Sequence, residues 1–181
     1  MHERRFNRDI ERLRDPERVA RMEVERVVDL TLEKLDPVHN LLDVGTGSGL
    51  FAEQFAARGL SVTGLDANPA MLPAAEQFVP TGSFQEGTAE ALPFPDGSFD
   101  VVFMGLLLHE TDDVQAALRE AHRVARRRVG ILEWPEAVGE FGPPAEHRLR
   151  TQVVEESTHQ AGFTRMEMIH LKHLIFYRLT P

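Results

Sequence analysis

The sequence predicts a doubly wound α/β fold, a mostly parallel seven-stranded sheet with helices on both faces and an antiparallel hairpin at its C-terminal edge. Three observations lead there. Short apolar runs alternate with stretches of helical period from residue 41 to residue 161, and strands joined through helices lie parallel. The first apolar run opens into three closely spaced glycines, a strand-to-helix turn of the kind that faces a ligand. The last two strand-like runs, 164–172 and 173–180, have no helix between them and therefore pair antiparallel.

Each element has its own signal. Residues 1–14 mix Arg and Glu and read as a helical arm with a solvated face. Asp15-Pro16 is a helix start, with Asp as N-cap and Pro in the first turn; the period of Ala20, Val24, Val27, Val28, Thr31, Leu32 and Leu35 carries that helix to about residue 35, before Asp36-Pro37. A strand over 41–44 leads into the glycines. A helix follows over 49–58 and is closed by Gly59. The second strand, 60–65, ends at Asp66. A helix over 68–78 is capped by Asn68, and a weak third strand lies at 83–86. The fourth, 99–106, is the most apolar. A helix over 112–128 would place Arg126, Arg127 and Arg128 at its C-terminus, complementing the dipole. The fifth strand is 129–134, a Pro- and Gly-rich loop fills 135–150, and the last helix, 152–161, stops at Gly162. The division expected is an N-terminal arm or lid over 1–35 and one domain over 36–181.

Composition narrows the function. The chain has 181 residues, 42% of them hydrophobic, with 20 Lys+Arg against 29 Asp+Glu and a formal net charge of −9. That balance disfavours sequence-independent nucleic-acid binding, which neutralises phosphates. Cysteine is absent, so disulfides, thiolate metal sites and thiol nucleophiles are excluded. No apolar run approaches the roughly 20 residues that span a bilayer, and 1–18 holds no signal-peptide core. A cytoplasmic protein, monomeric or homodimeric, acting on a small molecule without membrane or nucleic-acid partners, is expected. No His and carboxylate spacing suggests a metal site.

The strongest local signal is Leu41-Leu42-Asp43-Val44-Gly45-Thr46-Gly47-Ser48-Gly49. Its glycines recur as G-x-G-x-G, unlike the G-x-G-x-x-G that accommodates a dinucleotide pyrophosphate. Asp66 ends the next strand, where an acidic side chain accepts hydrogen bonds from ribose hydroxyls. This stretch resembles motif I of the class I S-adenosylmethionine-dependent methyltransferases. Gly64-Leu65-Asp66-Ala67-Asn68-Pro69-Ala70-Met71-Leu72 resembles their second motif. The stretch from Gly87-Thr88-Ala89-Glu90 to Ser98-Phe99-Asp100 is similar to the ubiquinone/menaquinone biosynthesis, or type 11, branch. The resemblance covers roughly 15–180 and implies a Rossmann-like sheet.

The resemblance also implies a cofactor, S-adenosyl-L-methionine, and places residues around it. Asp43, Gly45, Thr46, Gly47 and Gly49 belong to the loop at its amino-acid end. Asp66 with Ala67 belongs to the ribose, and Thr88, Ala89 and Glu90 to the adenine edge, with Met71 and Leu106 packing on the ring. Relatives carry Asp where this chain has Thr88, which leaves a neutral acceptor there. They also tend to carry a P-G-G turn where this chain reads Ala125-Arg126-Arg127-Arg128-Val129-Gly130.

The acceptor is expected beyond the fourth strand, beside His109. His109 is a candidate general base because imidazole titrates near neutrality; a structural histidine is the alternative. Glu133, His147 and Arg148, on the loop after strand five, are candidates for the acceptor pocket, Arg148 as an anion ligand; a rigid Pro-Pro connection is the alternative. The function implied is methyl transfer to a small molecule; the alternative is a protein that binds the cofactor, or its demethylated product, without turnover. A nicotinamide-dependent oxidoreductase is disfavoured by the glycine spacing.

Overall fold

The computed structural model describes residues 10–181. Within them one seven-stranded sheet runs in the order β3-β2-β1-β4-β5-β7-β6. The strands are β1 Asn40–Val44, β2 Ser61–Asp66, β3 Ser83–Glu86, β4 Phe99–Gly105, β5 Ala125–Glu133, β6 Arg165–His170 and β7 Ile175–Thr180. β1 to β5 are mutually parallel. β7 is antiparallel to both β5 and β6. The helices are α1 Ile10–Leu13, α2 Pro16–Arg21, α3 Val24–Leu32, α4 Leu50–Ala57, α5 Leu72–Phe78, α6 Val114–Val124 and α7 Thr151–Ala161. Among the described residues no helix is long and apolar enough to cross a membrane.

The two-residue period of the strands divides the core. Leu41, Val101, Phe103, Leu132 and Phe176 face α3 and α4, packing on Val27, Val28, Phe51 and Phe55. Leu42, Val102, Met104, Ile131 and Tyr177 face the other way, onto Ala117, Leu118 and Ala121 of α6 and Val154 of α7. β4 is buried from Phe99 to Met104, the consequence of covering both faces of a central parallel strand. Each large aliphatic side chain buried there contributes roughly 1.5–3 kcal/mol. Strand order reverses between β1 and β4, so the crevice at their carboxyl ends is where ligands bind in such sheets.

Several expectations are corrected. The helix expected over 15–35 is two helices. Asp15 caps α2 through its side chain, accepting from Arg18 N–H, but Glu23 turns left-handed at φ 48° before α3. Its carboxylate accepts from the Lys172 N–H at 2.7 Å and from Arg26, so a long-range tie fixes a break that local pattern does not show. The helix expected over 112–128 ends at Val124, and Ala125 enters β5 directly, pairing with Phe99. The three arginines are therefore strand residues. Arg126 pairs with Asp100, while Arg128 donates to the Thr31 and Glu33 carbonyls. The dipole its cation complements is thus that of α3, not α6.

In the 68–78 segment, a single 3₁₀ turn precedes α5. Of the arm or lid expected over 1–35, residues 1–9 lie outside the described residues. The described part of the arm lies on the glycine loop: Arg14 donates to the Ser48 carbonyl and to Glu53, and its guanidinium carbon sits 3.2 Å above the Phe78 ring.

Candidate active site

A cleft of about 1080 Å³ opens at the carboxyl ends of β1, β2, β4 and β5. Its floor is the glycine loop. Gly45 turns at φ 70°, and a Cβ there would come within 2.7 Å of the Leu107 side chain; no other residue fits that turn without moving the wall. Gly45 and Thr46 N–H both donate to the Leu65 carbonyl, locking the loop to the end of β2.

Asp66 continues that floor. One oxygen accepts from Gly47 N–H and the other from Asn68 N–H, both at 2.8 Å. Burial raises its pKa, opposed by those two N–H donors. Each oxygen keeps a further lone pair for a hydroxyl. Ala67, Met71, Thr88, Ala89, Glu90 and Leu106 all line the cleft. Leu106 does so in a left-handed conformation, φ 57°, a backbone cost of roughly 1–2 kcal/mol in a non-glycine residue. Its N–H donates to the Leu132 carbonyl at 2.8 Å, holding that turn open at the end of β4.

Three loop residues stand behind the cleft. Asp43 and Thr46 are buried, and the Thr46 hydroxyl donates to Asp43 at 2.8 Å. Burial, opposed by the Thr46 hydrogen bond and reinforced by the charge of Asp66, pushes the Asp43 carboxyl up to about 7. Gly49 begins α4, where a Cβ would sit 3.0 Å from the Ala75 backbone. Its smallness serves the contact between α4 and α5. These three shape the loop and do not line the cavity.

The chemistry gathers at the end of β4. His109 lines the cleft, and its Nδ1 lies 2.8 Å from Oε1 of Glu133, a side chain only 1% exposed. The contact lacks hydrogen-bond alignment, and it is an ion pair only when the imidazole is protonated. Glu133 also accepts from the His109 and Trp134 backbone N–H groups. Nε2 lies on the Glu110 side, 3.8 Å from its Oε1. Burial disfavours the imidazolium, but the charge of Glu133, its contact and the charge of Glu110 outweigh that and raise the pKa of His109. The expectation that Glu133 lines the acceptor pocket is therefore corrected: it stands behind His109 and does not line the cleft.

His147 lines the cleft with Trp134, Phe141, Pro143 and Pro144. Arg148 does not. It is buried, and its guanidinium donates to four loop carbonyls, those of Pro143, Pro135, Ala137 and Phe141, at 2.6–3.0 Å. Those bonds engage all three of its nitrogens, so the expected anion contact is corrected to a strut inside the 135–150 loop. The arginines of the arm are additional to the residues expected at the site. Arg12, Arg18 and Arg21 all line the cleft, and Arg21 stacks on Phe141 with its guanidinium carbon 4.4 Å from the ring centroid. The mixed charge of residues 1–18 was visible, but only the path of the arm shows which side faces the cavity.

Comparison with known proteins agrees with this geometry. A family model described as a methyltransferase domain matches residues 42–131. An uncharacterized methyltransferase of Synechocystis sp. is 33% identical over 158 residues, covering 77% of this chain and 74% of that protein. A malonyl-[acyl-carrier protein] O-methyltransferase of Serratia marcescens is 39% identical over 90 residues, 50% of this chain and 35% of that protein. The chain thus spans little more than a third of the length of some curated relatives, 37% and 35% for two of them. A solved structure, a SAM dependent methyltransferase from Aquifex aeolicus, superimposes with a TM-score of 0.81 at 24% identity, covering 94% of this chain and 96% of that one.

Proposed function

The chain belongs to the methyltransferase domain family of S-adenosylmethionine-dependent proteins, and from that premise we propose that it transfers a methyl group to a small-molecule acceptor, with His109 as the base and Glu133 as the residue that positions it. The observation that carries the proposal is the buried contact between His109 and Glu133 on the cleft beside Gly45 and Asp66.

The residues present fit the family's cofactor. Gly45 offers bare backbone that a Cβ would obstruct, and Asp66 offers two carboxylate lone pairs for ribose hydroxyls. When bound, the cofactor supplies an electrophilic methyl on a sulfonium, which passes to an acceptor atom as the carbon–sulfur bond breaks and its electron pair stays on sulfur.

The protein's part is to orient, dry and deprotonate. Glu133 beside Nδ1 favours the tautomer with its proton there, leaving the Nε2 lone pair to take an acceptor's proton. Because the pKa of His109 is raised, its base form grows at higher pH than that of an ordinary imidazole. Trp134, Phe141 and Leu106 contribute apolar surface to the cleft. The described part of the arm ahead of α3, residues 10–21, acts as the lid: Arg14 fastens it to the glycine loop, and Arg21 reaches Phe141.

The test is a product assay with methyl-labelled cofactor across a fractionated pool of metabolites. The proposal expects one labelled small product and a loss of roughly 10²–10⁴-fold in turnover for His109→Gln. Cofactor binding with no labelled product in any fraction would identify a binding protein without turnover. A rate within a few-fold for His109→Gln would remove the base.

A further inference from the structure

The cleft is lined by arginines that methyl transfer alone does not require, alongside the carboxylates of Glu11, Asp15, Asp66, Glu90, Glu110 and Glu140. Arg12, Arg18 and Arg21 all line it, in a chain whose acidic residues outnumber its basic ones by 29 to 20. Arg21 is the best placed. Phe141 supports one face of its guanidinium, and stacking of that kind leaves the in-plane N–H fork available for a planar anion. Its ion pair with Glu17 is long, 3.7 Å, and the Glu17 side chain is 87% exposed, so solvent screens that carboxylate.

Arg18 stands beside it, half-buried, donating to the Leu13 carbonyl. Burial, then the like charges of Arg12 and Arg21, lower its pKa against the opposing charges of Glu110 and Asp15. A cation in that setting is stabilised by an anion arriving nearby. The same cleft is lined by Leu106, Trp134 and Leu174. Charge together with aromatic and aliphatic surface describes an amphiphilic guest.

We infer that the acceptor is a small organic acid whose apolar or aromatic body lies against Trp134 and Leu106 and whose carboxylate or phosphate is held by Arg21. The inference rests on the methyltransferase reading and names its substrate class. Arg21 is then the specificity-determining residue, and Phe141 the platform that holds its fork in place.

The experiment uses the full chain saturated with S-adenosylhomocysteine and reads the fluorescence of Trp134, the single tryptophan. Benzoate and phenyl phosphate are titrated against benzamide, the uncharged partner of the same shape. Both anions are expected to bind at least about tenfold more tightly than benzamide, the scale of a hydrogen bond to a charged group. Arg21→Gln should bring the three ligands within twofold of one another. Arg21→Lys, which keeps the charge and loses the planar fork, should fall between.

Equal binding of benzoate and benzamide to the wild type would overturn the inference. So would an Arg21→Gln protein that loses affinity for S-adenosylhomocysteine yet keeps its preference for acids, because Arg21 would then serve the cofactor's own carboxylate. Failure of the methyltransferase reading looks different: S-adenosylhomocysteine itself would not bind, and the acid-to-amide ratio would still be read on the free protein.

Discussion

Replacing Glu133 by Gln keeps the shape of the side chain and removes its charge. In the native protein that carboxylate faces donors on both oxygens, the Trp134 N–H and His109 Nδ1 at one and the His109 N–H at the other. An amide has one acceptor oxygen, so its NH₂ must oppose one of those donors. The structural cost is roughly 1–3 kcal/mol for the unsatisfied buried group. The substitution also acts on His109: with Glu133 neutral, burial and the charge of Arg148 are opposed only by Glu110, and the pKa of His109 should fall. The sign for stability follows. A histidine with a raised folded pKa contributes stability that is fully present below its unfolded value and lost as pH rises through the folded one; Glu133→Gln should abolish that dependence. The assay is an NMR titration of the His109 ring protons in both proteins, with thermal unfolding at pH 6 and pH 9. An unchanged His109 titration would refute the claim that Glu133 controls this imidazole.

Arg148→Lys should destabilise the 135–150 loop by roughly 2–4 kcal/mol, because an ammonium cannot reach four separate carbonyls; faster amide exchange confined to that loop is the readout, and unchanged exchange would return Arg148 to the list of ligand contacts. Asp43 has its pKa raised to about 7, so the folded state binds its proton more tightly than the unfolded chain and loses that advantage as pH rises toward 7. The stability of Asp43→Asn relative to wild type should therefore improve between pH 5 and pH 8, and a difference that stays flat would contradict the assignment. The arm should be protected from exchange between Leu13 and Arg21 when S-adenosylhomocysteine is bound, and Arg14→Ala should speed exchange there; identical rates with and without ligand would argue against a lid.

The parallel strands, the glycine turn and Asp66 were legible because each is encoded within a few neighbouring residues: an apolar run, a φ that only glycine adopts readily, an acid at a strand end. The C-terminal hairpin was legible from the missing helix. What escaped depends on distant partners. Glu23 breaks a helical pattern because its carboxylate meets Lys172 N–H. Ala125–Arg128 extends β5 because Phe99 and Val101 offer a paired edge. Arg148 looked like an anion ligand because a free guanidinium at a loop end suits one; nothing local shows that four carbonyls close around it. His109 and Glu133 were each singled out separately, but their contact follows from β4 and β5 lying side by side, with Gly105 opposite Leu132.

The central claim is that the glycine loop and Asp66 hold S-adenosylmethionine, and calorimetric titration of that ligand into the wild type and Asp66→Ala tests it most directly. Asp66 offers lone pairs to ribose hydroxyls while anchoring Gly47 and Asn68, so its loss should cost about 1.5–3 kcal/mol, roughly a 10- to 150-fold weaker Kd. One equivalent bound by the wild type with that loss in the variant is the result predicted. No heat of binding in the wild type, or equal affinity in the two proteins, would contradict it.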